Sequence, residues 1–118
     1  MIAMMGRTLP KSEWKAYFDH LSKHLIGERA EVEIAGLKSG DHIEARWVPL
    51  VGITYESKGD VLEIALERLD HRIHRPRNIV VTDSPEGLER MEIVDSEGCK
   101  QIVKLMKPLR YPRRVVER

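Results

Sequence analysis

Between Ser12 and Leu25 the apolar side chains of Trp14, Tyr17, Phe18, Leu21 and Leu25 recur at intervals of three, one, three and four, the stripe of an amphipathic helix. Pro10 lies just upstream, Ser12 is placed to cap the first turn, and Glu13 complements the positive end of the helix dipole. Gly27 then supplies the left-handed residue at which such helices stop. From Ala30 onward the period changes to two. Ala30, Val32 and Ile34 alternate with Glu31 and Glu33, and Ile43, Ala45 and Trp47 alternate with Glu44 and Arg46, which predicts two strands with one wet face each. Residues 37–41 between them have turn composition, and Pro49 closes the second strand because it cannot donate to a ladder.

Residues 51–55 and 61–66 flank Ser57-Lys58-Gly59-Asp60, a second hairpin signal. Three more strands, at 77–82, 88–94 and 99–106, are separated by the turn-rich stretches 83–87 and 95–98. The predicted fold class is α+β: an N-terminal amphipathic helix packed on a curved or partly closed antiparallel sheet of about seven strands. Residues 1–118 read as a single domain with flexible ends at 1–8 and 109–118. Residues 69–76 show neither alternation nor turn composition and read as a short helical turn or a connecting loop.

Composition narrows the class of protein. A content of 42% hydrophobic and 33% charged residues suits one packed core under a highly charged surface. The lone Cys99 cannot pair within the chain, which fits a reducing compartment, and residues 1–6 lack signal-peptide architecture. No segment approaches the ~20 apolar residues that a bilayer needs. The expected location is therefore cytoplasmic, with no membrane partner. Net charge is +1, so the chain as a whole demands no polyanion. Its distribution is uneven: residues 86–97 hold five acidic residues against one basic, and residues 100–118 hold seven basic against one acidic.

Candidate chemistry concentrates in Asp70-His71-Arg72-Ile73-His74-Arg75. If this segment is helical, His71 and His74 share a face and are weak candidates for a metal pair with a nearby carboxylate. The bland account is a solvated polar loop. The same segment, with Arg68, Asp70, Arg72, Arg75 and Arg77, offers guanidinium forks to an anion or a partner protein, against simple surface charge pairing. His20 and His24 have the other chelating spacing but fall on the flank of the helix stripe, where boundary packing is the simpler account. Cys99 would need a neighbouring base or a positive dipole to become a nucleophile, and an ordinary half-buried thiol is the simpler reading. Neither GxSxG, GxGxxG nor GxxxxGK[ST] occurs. Of the aromatic residues, Trp14, Tyr17, Phe18, Trp47 and Tyr55 fall at core-facing positions, and only Tyr111 sits among cations.

Ser12-Glu13-Trp14, Tyr17-Phe18-Asp19, the run from Trp47-Val48-Pro49 through Gly52-Ile53-Thr54-Tyr55, Asp60 to Leu66, and Leu69-Asp70-His71 together resemble a family of small bacterial proteins of unknown function. The resemblance runs from about Leu9 to Pro108. It implies a bacterial, cytosolic protein and supplies no activity, cofactor or site.

The resulting expectation is a non-enzymatic binding or regulatory protein, such as an adaptor or an immunity-type protein, acting on a protein partner or on itself as a homodimer, with no cofactor. Its binding residues are Arg68, Asp70, His71, Arg72, His74, Arg75, Arg77, Arg110, Arg113 and Arg114. One alternative is a nucleic-acid-binding module using segment 68–77 and the basic tail from Lys104 and Lys107 onward. Another is a metal-dependent enzyme built on His71 and His74.

Overall fold

The helix forms where the stripe predicts it. In a computed structural model, residues 4–36 and 40–112 are described. The elements are strand β1 (Met5–Thr8), a 3-10 turn (Lys11–Glu13), helix α1 (Trp14–Leu25), and strands β2 (Arg29–Gly36), β3 (Gly40–Glu56), β4 (Val61–Leu66), β5 (Leu69–His74), β6 (Pro76–Ser84), β7 (Gly87–Asp95) and β8 (Lys100–Leu109). All eight strands join one antiparallel sheet in the order β1-β6-β7-β8-β2-β3-β4-β5. The sheet is not closed, since β1 and β5 end the order. Inside it, Trp14, Phe18, Leu21 and Leu25 of α1 meet Ile53, Leu62, Ile64, Ile73, Ile79, Met91 and Ile93 from the strands.

The expected count of seven strands becomes eight through three changes. Segments 43–47 and 51–55 are one strand, because β3 runs straight through Pro49. Pro49 sits where β3 leaves its partner β2 and takes up β4, so the ladder loses little by its missing donor. Segment 69–76, read as a turn or loop, holds strand β5, with His71 and Ile73 turned inward and Asp70, Arg72 and His74 exposed. Residues 5–8, read as part of a flexible end, form β1 along β6, and the Leu9 amide continues the contact to the Ile79 carbonyl at 2.9 Å. At the other end Leu109 is buried, and Tyr111 packs against Tyr17 with the two hydroxyls 2.9 Å apart. Residues 113–118 lie outside the described residues.

Ser12 does not cap α1. It lies in the 3-10 turn, and no side chain caps the first turn of the helix. The helix has a different polar anchor. Where β3 parts from β2, its edge is bare, and Ser22 fills it: the Ile53 amide donates to Ser22 Oγ at 2.9 Å and the Ser22 hydroxyl donates to the Ile53 carbonyl at 2.7 Å. Beyond the helix, the Gly27 amide donates to the Leu50 carbonyl and the Leu50 amide to the Glu28 carbonyl. One hydroxyl thus does for β3 what a neighbouring strand would do. Ser22→Ala leaves both backbone groups of Ile53 without their partner, and a loss of roughly 1–3 kcal/mol is expected in urea unfolding. A midpoint unchanged from the parent protein would overturn this role.

Candidate functional site

Because β5 is a strand and not a helical turn, His71 and His74 point to opposite faces and cannot meet on one ion. His71 is turned inward, where its Nε2 bonds Gln101 Oε1; the Gln101 amide in turn reaches Asp95 Oδ2 at 3.4 Å. His74 is exposed. Among the described residues no group of three or more His, Cys, Asp or Glu side chains is arranged to hold a metal. His20 and His24 have ring centroids 5.6 Å apart, but His20 Nε2 donates to the Pro112 carbonyl at 2.6 Å, which ties the ring to the C-terminal segment. Burial, with Asp95 and Glu97 adding their negative charge, pushes the Cys99 thiol up. That environment keeps it protonated and a poor nucleophile.

The structure divides the predicted basic surface. Arg68 occupies the β4–β5 turn with φ of 68°, and Arg72 pairs with Glu63 at 3.3 Å on the outer face. Arg75, with φ of 52°, is the one residue between β5 and β6; its amide donates to the Asp60 carbonyl and its Nε to Ser96 Oγ. Arg75 and Arg77 therefore meet Lys11 and Asp60 in one cleft of about 320 Å³. Arg110 lies elsewhere, with Tyr111 and Asp83 in a cleft of about 430 Å³ between the β6–β7 turn and the C-terminal segment. Arg113 and Arg114 lie outside the described residues. Arg110 and the Arg75–Arg77 segment thus lie on separate surfaces.

Trp47, which the alternation places among the core-facing residues, is only half-buried and lies outside the core. Three register shifts interrupt β3, opposite 30–32 and 32–33 of β2 and opposite 65–66 of β4. The first sets Arg46 and Trp47 together against Glu31, and Trp47 takes a left-handed φ of 55°. A bulky residue in that region is strained by about 1–3 kcal/mol. Trp47 is half-buried and outside the core, with Arg29 Nη1 donating to its carbonyl at 3.0 Å and Arg46 pairing with Glu31 at 3.2 Å. Around this bend sit Ile26, Val51 and Met106, which are 71%, 54% and 49% exposed. The Gly27–Leu50 bond brings Ile26 beside Val51, and Met106 follows Leu105, the partner of Ala30.

Strict alternation of Ile43, Ala45 and Trp47 concealed this bend, because each bulge shifts the phase by one residue. Ala45 stays buried while Ile43 and Trp47 come partly into solvent. The available signal was the proline two residues after Trp47, a mark of an irregular ladder.

A family model described as a family of unknown function (DUF5335) matches residues 5–114. An uncharacterized protein of Aquifex aeolicus (strain VF5) is 34% identical over 110 residues, which covers 92% of this chain and 99% of that relative. No solved structure matches.

Proposed function

For a chain that belongs to the DUF5335 family of unknown function, we propose a non-enzymatic binding protein that engages a protein partner through the bend of β3. The observation that carries this reading is Trp47, half-buried on strained backbone at a bend whose adjoining segments expose Ile26, Val51 and Met106. Tryptophan, methionine and arginine are the residues that interfaces enrich, and the bend offers Trp47, Met106, Arg29 and Arg46 together. Contiguous exposed apolar residues ringed by charge are the usual mark of a contact surface. Catalysis draws no comparable support, since the two β5 histidines diverge and the thiol stays protonated.

The test is a pair of surface variants, Val51→Asp and Met106→Asp, which place charge in the patch without touching the core. Sedimentation over a concentration series reads self-association, and affinity capture from a bacterial lysate reads other partners. Either the self-complex or a captured protein is expected with the parent chain and is expected to weaken at least tenfold with both substitutions. A partner retained equally by the variants would place the contact elsewhere.

A further inference from the structure

Two clefts adjoin at the corner where the β3–β4 turn, the β5–β6 link and the start of α1 meet. One, of about 480 Å³, is lined by Lys11, Ser12, Lys15, Tyr55, Ser57 and Asp60. The other is the cleft of Arg75 and Arg77, and it shares Lys11 and Asp60 with the first and adds Ser96. The lining therefore holds four cations against one carboxylate, a balance of +3 in a chain whose total is +1. Those four cations come from the 3-10 turn, α1, the β5–β6 link and β6. Their convergence is a product of the fold and not of a basic run in the sequence.

The carboxylate is already engaged. Asp60 Oδ1 accepts the Tyr55 hydroxyl at 2.6 Å and lies 3.6 Å from Lys11 Nζ. Lys15 is paired with Asp19 at 2.9 Å on the exposed side of the helix, where such a pair is weak and exchangeable. Arg77 is exposed and has no ion-pair partner among the described residues. Hydroxyls of Ser12, Ser57 and Ser96 complete a lining of N–H and O–H donors. Donors of this kind around mobile ammonium and guanidinium groups fit the three acceptor oxygens of a phosphate.

We infer that this groove binds phosphate groups, carried either by a small polyphosphate or by the backbone of single-stranded nucleic acid. The site is separate from the bend of β3 and does not depend on the protein-binding reading. Two probes distinguish the sources: inorganic tripolyphosphate followed by calorimetry, and a fluorescein-labelled oligothymidylate followed by anisotropy, each at low and moderate salt. Binding of either probe is expected, and binding of the oligonucleotide is expected to weaken about 20-fold between 50 and 200 mM salt if three phosphates are contacted. The double variant Lys11→Gln with Arg77→Gln changes two exposed side chains and is expected to lose at least tenfold in affinity at an unchanged melting midpoint. A control with the same charge change, Lys23→Gln with Lys100→Gln, is expected to bind as the parent does. Tripolyphosphate binding alone assigns the site to a small ligand, and oligonucleotide binding alone assigns it to a nucleic-acid backbone. Absence of both complexes at low salt overturns the inference, as does equal weakening by the two double variants.

Discussion

Replacing Trp14 with alanine is expected to destabilise the protein by roughly 3–5 kcal/mol, the range for removing a large aromatic side chain from a packed core. Trp14 is 1% exposed and lies edge-on to Tyr55, with ring centroids 5.1 Å apart. Its indole Nε1 donates to the Leu9 carbonyl at 2.9 Å, so the ring also fixes the chain between β1 and α1. Domains of this kind have only about 5–15 kcal/mol in total, so the variant should unfold at markedly lower urea. Trp14→Phe separates the two contributions. It keeps most of the apolar volume and loses the donor, leaving a buried carbonyl unsatisfied at a cost of about 1–3 kcal/mol. If Trp14→Ala melts within 1 kcal/mol of the parent, the helix is not anchored as described.

Gly87→Ala is expected to be comparably severe, at roughly 3–5 kcal/mol, although it adds a single methyl group. Gly87 pairs with Ser84 in the β6–β7 hairpin, at φ of 134°. A Cβ there would run into the Leu109 carbonyl oxygen, 2.6 Å from Leu109 C and 3.0 Å from the Arg110 nitrogen. All three are backbone atoms and cannot rotate away. Gly40→Ala is the comparison, since Gly40 also has positive φ, at 77°, but nothing lies within 4 Å of its added Cβ. Only the conformational cost of about 1 kcal/mol should appear there. Equal effects in the two variants would show that the close approach of β8 to the hairpin contributes nothing.

The helix and most strands were legible because their periods are intact: Trp14, Phe18, Leu21 and Leu25 are buried as the stripe requires, and the alternation of 61–66 holds residue by residue. What could not be read depends on pairing. In Leu69–His74 the inward positions include the polar His71, whose Nε2 is partnered by Gln101 from a strand about 30 residues away. Polar-in patterns look like loops until the partner is known. Trp47 was misplaced because a bulge is a relation between two strands and leaves little trace in one of them. The phosphate groove has the same character. Arg75 and Arg77 stood out in the sequence, but Lys11 and Lys15 are some 60 residues away and become their neighbours only through the fold.

The sheet order has a kinetic consequence. β2 to β5 form one run of sequential hairpins and β6 to β8 another, and each can assemble from contacts near in sequence. The two runs are joined by β2 with β8, which unites Ala30 with Leu105, and β1 reaches the second run only through β6. Closing such distant pairings costs loop entropy before any contact repays it, so folding should take milliseconds to seconds and not microseconds. Until that junction forms, the facing edges of β2 and β8 are both unpaired. A nascent chain held at that stage presents two sticky templates to its neighbours, which makes this junction the point at which misassembly competes with folding.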